Sequence, residues 1–323
     1  MTVTTLTGRF WKPGSVAVLL VLAAAFPVFS GGPVNTNYGV FALLFVALAS
    51  AWNLFSGFSG YISLGHAVFF GSGAYAVGIA ARDWHVTGTA VFPLVGLGAV
   101  AGAAIAIPFG WIALRVRRHT FIVITIAVFF IFQLMAYNFW FTSGTSGLNA
   151  PFLPWSPARF NDTFYYIALA IAVAAIATAI VMRRSRFGLQ LRAIKDDEDR
   201  ARGLGVHAMP VKLAALTVSA TFTGLAGGVW FLYLAQVQPN TGFDPLFDLQ
   251  IAFMAFLGGL GSIAGPVIGA VLIEPGSLYL TTRLTNGYWN EILLGALFLI
   301  VVQFLPRGIV PTGAELLVKV RRR

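Results

Sequence analysis

The fold is decided by PGSVAVLLVLAAAFPVFSGGPVNTNYGVFALLFVALASAWNLFSGFSGYISLGHAVFFGSGAYAVGIAA, residues 13–81, which contains no Asp, Glu, Lys or Arg. As helix, 69 residues extend on the order of 100 Å, about three crossings of a ~30 Å hydrocarbon core. A bilayer leaves backbone groups no water to bond, so spans must be helices or a closed barrel. Apolar residues here run continuously rather than alternating, which selects helices. The same bias holds over the whole chain: 58% hydrophobic and 10% charged, against about 25% charged in soluble domains. The expected class is all-α, a polytopic helical membrane protein forming one transmembrane domain over residues 1–323. Residues 16–29 behind Arg9 and Lys12 look like a signal-peptide core, but further spans follow at once, so a retained first span is expected.

Outward from that stretch, ten crossings are expected at 16–30, 38–55, 61–81, 91–114, 119–141, 163–182, 212–234, 248–260, 262–281 and 290–305. The two segments in 248–281 are interrupted by Gly258, Gly259, Gly261, Gly265 and Pro266, and one of them could be re-entrant. With both termini cytoplasmic, 18 Lys and Arg fall inside, and only Arg82, Arg159 and Arg283 fall outside. The positive-inside rule asks for this split, and it accounts for the +10 charge without nucleic acid. Trp84, Trp140, Trp155, Tyr288 and Trp289 fall near the outer boundary, where amphipathic rings are favoured. Five spans per half, about 16–141 and 163–305, give the halves opposite orientation, as in inverted-repeat transporters.

The main polar interruption is RRSRFGLQLRAIKDDEDRARGLGVHAMPVK, Arg183 to Lys212, with eight of the 21 basic and four of the 11 acidic residues. Leu189, Leu191 and Ile194 recur at spacings a short amphipathic helix uses. Asp196, Asp197, Glu198 and Asp199 precede Arg200 and Arg202, the order that suits a helix dipole. Gly203 and Gly205 are stop signals, and Pro210 starts the next element. Helix punctuation at both ends points to a cytoplasmic docking surface rather than a linker.

Three motifs occur in order: SLGHAVFFGSGAY (Ser63–Tyr75), SRFGLQLRAIKDDEDRARGLGV (Ser185–Val206) and GGLGSIAGPVIGA (Gly258–Ala270). Together they resemble the branched-chain amino acid ABC transporter permeases of LivM type, over about Tyr38 to Pro306. Permeases for urea and short amides look similar. The resemblance implies one half of a heterodimeric permease in the bacterial inner membrane. Its partners would be a LivH-type subunit, two cytoplasmic ATPases and a periplasmic substrate-binding protein. It places the ATPase-coupling surface on Phe187, Gly188, Arg192, Ala193, Asp196, Asp197, Ala201, Leu204 and Gly205. The loop Thr142–Phe152 resembles the family's glycine-rich loop, with Ser143 where the first of two glycines usually stands. Glu274 precedes Pro275, the reverse of the family's usual Pro-Glu order, so no family role is carried over to it.

The residues also speak to partners directly. The lysines are Lys12, Lys195, Lys212 and Lys319, and none follows a glycine, so no Walker A phosphate loop can be built and an ATPase must be another chain. There are no cysteines, hence no thiolate metal site. His66, His85, His119 and His207 are scattered, so neither a metal site, a cofactor nor an enzymatic constellation is expected. His66 is read as a hydrogen-bonded packing residue. An ion-coupled secondary transporter would need intramembrane carboxylates, and Glu274 alone lies well inside an expected span. Pro275 and Gly276 could instead end that helix and leave Glu274 in water. The candidate pathway residues are Ser63, Gly65, His66, Gly71, Gly73, Gly258, Gly259 and Gly261, from the glycine-rich third span of each half. Close helix packing is the alternative use of the same glycines.

Overall fold

The computed structural model describes residues 13–29, 32–283 and 308–312, together with 292, 295, 296, 299 and 303. In chain order the helices are α1 (Pro13–Phe29), α2 (Pro33–Trp52), α3 (His66–Asp83), α4 (Val95–Ala113), α5 (Arg118–Asn138) and α6 (Pro157–Arg184). They continue as α7 (Arg186–Asp196), α8 (Glu198–Gly203), α9 (Ala208–Leu234), α10 (Pro239–Gly242), α11 (Pro245–Gly258) and α12 (Ala264–Arg283). The strand pairing among the described residues joins Leu148–Asn149 to Gln236–Val237, antiparallel. The molecule is a polytopic helical membrane protein. Five stretches are long and apolar enough to cross a bilayer by themselves: Pro33–Gly57, Gly88–Ala113, Arg118–Asn138, Pro157–Arg184 and Ala208–Leu234. The expected crossing at 290–305 lies for the most part outside the described residues, as does the basic tail.

Local chemistry explains most boundaries. Pro33, Pro157 and Pro245 sit in the first turns of α2, α6 and α11, where a missing N–H costs nothing. Ser156 caps α6 by accepting from Arg159 N, and Asp244 caps α11 by accepting from Leu246 N at 2.9 Å. α2 is apolar on every face, and its inner part is buried all round, between α6, α9, α11 and α12. A helix without a polar stripe has no solvent face to offer. It is the axis of the bundle.

One end of the bundle carries the charges. There Arg118 donates to Ile194 O at 2.8 Å, Arg117 pairs with Asp199, and Lys195 donates to Gly57 O at 2.8 Å. At the opposite end Arg82 donates to Phe141 O, Asn161 to Pro33 O, and Asn37 to Tyr233 OH. Ser143, at the glycine position of the Thr142–Phe152 loop, has φ +62°, the left-handed conformation a glycine adopts without strain.

Two expected spans are broken. The segment 61–81 is helical only from His66: α2 runs through a π-turn at Asn53–Gly57, and an unwound stretch with Gly60 at φ +74° follows. The segment 248–260 is entered by a chain that returns into the bundle from the opposite end. Gly242 packs on Gly71 there, and Gln133 donates to Phe243 O. Irregular backbone at membrane depth is tolerated only where protein surrounds it, as here. α3 and α11 therefore both begin inside the bundle, with their first turns facing each other.

The charged segment also differs from expectation. It forms two helices rather than one, because Asp197 adopts extended geometry (φ −156°, ψ 110°) and caps α8, accepting from Arg200 N at 3.0 Å. The alternative in which Pro275 ends its helix is overturned, since α12 continues to Arg283.

Candidate functional site

One side chain joins the π-turn to the link between α11 and α12. Asn53, in the π-turn, accepts from Gly261 N at 2.8 Å and donates to Ser262 O at 2.9 Å. Both groups lie in the link between α11 and α12, and they gain there the partners that a helix would otherwise supply. Asn53→Ala is expected to leave both half-buried groups without this partner and to destabilise the chain by ~1–3 kcal/mol in all. Thermal unfolding of the purified permease in detergent measures this, and an unchanged transition would contradict it.

Deeper in, the first turn of α3 is fixed by three polar contacts. His66 Nδ1 lies 3.0 Å from Ser63 Oγ and Nε2 lies 2.8 Å from Ser219 Oγ. Ser219 commits its own proton to Ala51 O, so it accepts from Nε2–H and Ser63 donates to Nδ1. His66 is thus a hydrogen-bonded packing residue, held by the hydroxyls of Ser63 and Ser219. Asp248, only 1% exposed, accepts from Ala67 N at 2.9 Å and so tethers α11 to α3. Sequence reading placed it at a span boundary and passed over it. Glu274 is buried and accepts from Gln250 Nε2 at 2.8 Å.

At the charged end, α7 and α8 are wired into the interruption between α2 and α3. Lys212, expected at a loop edge, is only 1% exposed. Its Nζ donates to Glu198 Oε1 at 2.9 Å and to Tyr61 OH at 3.1 Å, and lies 4.2 Å from the Tyr61 ring centroid. Tyr61 OH also donates to Glu198, and Arg202 donates to the same carboxylate at 2.6 Å. Burial pushes the Glu198 carboxyl up, but hydrogen bonds from Tyr61 and Lys212 and the charges of Lys212 and Arg202 hold it below the usual range. Lys195 reaches Gly57 at the π-turn. Tyr61, Asn53, Lys195, Glu198 and Lys212 therefore form one connection from surface to bundle interior. The signal that could have found them is a charge beside an apolar run, with its opposite charge 14 residues away.

The expected coupling residues divide by exposure. Leu204 is 84% exposed, as is Leu189 beside them at 60%. Arg192, Asp196 and Gly205 are exposed as well. Phe187, Ala193 and Asp197 are half-buried, and Gly188 and Ala201 are buried. Leu191 and Ile194 point inward, which is the amphipathic division the spacing implies. The expected pathway residues form two groups. Ser63, Gly65, His66, Gly71 and Gly73 pack around the start of α3, with Gly65 against Phe109 and Thr125 and Gly73 against Gly224 O. Gly258, Gly259 and Gly261 lie at the α11–α12 link, where Gly258 packs on Gly265. The Asn53 clasp brings the second group to the π-turn just before the first.

Comparison with known proteins accords with this architecture. The family described as "Branched-chain amino acid transport system / permease component" matches residues 35–302. The high-affinity branched-chain amino acid permease protein LivM of Escherichia coli is 26% identical over 92% of this chain and 74% of its own length. LivH of Salmonella typhimurium is 23% identical over 87% of this chain and 94% of its own. The fructose import permease protein FrcC of Rhizobium meliloti is 26% identical over 64% of this chain and 59% of its own. No solved structure matches the chain. With more than four-fifths of its length inside the family match, this chain belongs to the permease components of branched-chain amino acid transport systems.

Proposed function

We propose that this chain is the LivM-type permease subunit of an ABC importer that carries branched-chain amino acids across the bacterial inner membrane. It pairs with a LivH-type subunit, receives substrate from a periplasmic binding protein, and is driven by two separate ATPases docked on α7–α8. Both termini lie in the cytoplasm. One observation supports the reading: the exposed face of α7–α8 is tied through Lys195, Glu198 and Lys212 to the interruption between α2 and α3, and Asn53 carries that connection on to the α11–α12 link. A push on that face reaches the π-turn without passing through a flexible linker.

The halves work as inverted repeats. α2, the unwound stretch and α3 form one unit; α9, the re-entrant stretch and α11 form the other, running the opposite way. Alternating access then amounts to rocking one unit against the other. Most of the candidate pathway positions are glycines, which suits a path that must release what it admits.

Leu189→Glu with Leu204→Glu is expected to abolish copurification of the ATPases with the permease pair, because both side chains are exposed and support no core. The pair itself should remain assembled and as heat-stable as before. Retained capture and uptake would remove the coupling assignment. Uptake of leucine, fructose and urea by the reconstituted system separates the substrate classes of the relatives, and leucine alone is expected to be carried.

A further inference from the structure

Where α6 meets α7, a cleft of about 230 Å3 opens at the charged end. Gly57 of the π-turn and Gly261 of the α11–α12 link border it, with Arg183, Arg192, Lys195 and Asp196. Three cations thus face one acid. Neither Arg183 nor Arg192 has an ion-pair partner among the described residues. Burial holds the Lys195 ammonium below its usual range; Asp196 works against this, and Arg118 and Arg192 add to it. Lys195 touches both links at once. Its Nζ donates to Gly57 O at 2.8 Å, and a Cβ on Gly261 would lie 3.0 Å from it.

We propose that this cleft receives one acidic side chain, Asp or Glu, from the ATPase docked on α7, and that its carboxylate draws Lys195 away from the Gly57 carbonyl. This rests on the coupling role of α7–α8 proposed above. The volume is below the ~300–1,000 Å3 of small-molecule sites, which favours a single side chain over a phospholipid headgroup or a free substrate. A carboxylate between an ammonium and two guanidinium groups adds ion-pair attraction to its hydrogen bonds, which the neutral Gly57 carbonyl does not offer, so it competes for Lys195. A lipid phosphate or a free anion would be present throughout the cycle. A carboxylate on a moving ATPase is presented and withdrawn with each nucleotide cycle. Once Lys195 leaves, the Gly57 carbonyl loses its side-chain donor, and the π-turn is released beside the Asn53 clasp.

The test uses the complete transporter in nanodiscs. Lys195→Gln and Arg192→Gln are each expected to lower uptake about tenfold, the scale of one charge-assisted bond, with the ATPases still copurifying. Arg192 is exposed, so its variant reports even where Lys195→Gln fails to fold. Lys195→Glu is then combined with each acid of the ATPase docking face changed in turn to Lys, and one such exchange should restore uptake. Restoration by none of them, or wild-type uptake by both Gln variants, overturns the proposal. A loss reproduced by omitting anionic lipid or adding inorganic phosphate would assign the cleft to those anions instead, and also overturns it. If the ATPases fail to copurify even with the unaltered chain, the coupling role itself is what has failed.

Discussion

Replacing Lys212 with methionine is expected to destabilise the permease by about 1–3 kcal/mol, the cost of removing a buried, charged hydrogen-bond partner from Glu198 and Tyr61. The ammonium is 1% exposed and bonds both Glu198 and Tyr61, while Glu198 is only 14% exposed. Without Lys212, that carboxylate keeps Arg202 and the Tyr61 hydroxyl but loses its buried counter-charge. Methionine fills similar volume, so a cavity contributes little. The double variant Lys212→Met, Glu198→Gln should recover much of the loss, because no unpaired charge then remains. Thermal unfolding of all four forms in detergent gives the coupling energy. Additive losses would mean that the two groups act separately. The pH dependence has a definite sign. The folded Glu198 carboxyl sits below its ordinary value of 4.5. Its stabilisation is therefore fully present above that pH and disappears as pH falls through the lower, folded value. Acid should narrow the gap between wild type and Glu198→Gln.

The same cluster marks the limits of reading this sequence. The uncharged run at 13–81 announced a membrane protein, because a 10% charged composition cannot hide from the hydrocarbon requirement. The acids-before-bases order announced a helix start, and Asp197 supplies it as a cap. Lys212 was misplaced at a loop edge because hydropathy has no term for a counter-ion, and Glu198 neutralises it across a turn. The breaks were less legible still. The loop expected at 56–60 is instead helical as far as Ser59, and the unwound stretch follows it, inside the bundle. Asn53 is claimed there by Gly261 and Ser262, more than 200 residues away, and Gly57 by Lys195. Local propensity carries no trace of such pairings. Asp248 was overlooked for a related reason: its partner, Ala67 N, exists only because α3 begins there.

Gly224→Val is expected to prevent the bundle from closing, giving aggregate rather than a monodisperse peak on gel filtration in detergent. The glycines of α3, α4 and α9 meet backbone to backbone. A Cβ on Gly224 would run into the Gly98 carbonyl and lie 3.0 Å from Gly102 Cα; one on Gly73 would strike the Gly224 carbonyl. Overfilling a core costs ~1–3 kcal/mol when side chains can give way. Here the obstacle is main chain of α4, which cannot give way as a side chain does, so relief requires separating α9 from α4. In lipid no hydrophobic force opposes that separation, because tails solvate the helices as well as their neighbours do, and close van der Waals approach is what holds them. The control lies on the same helix. Gly96 is two residues before Gly98 on α4, yet a Cβ there meets nothing within 4 Å. Gly96→Ala should be neutral or stabilising by up to ~1 kcal/mol through helix propensity, while Gly98→Ala, whose Cβ would come 2.6 Å from Gly224 O, should unfold well below wild type. Equal melting of the two alanine variants would mean that contact between these three helices does not hold the bundle together, and that Gly73 is free for a role other than packing.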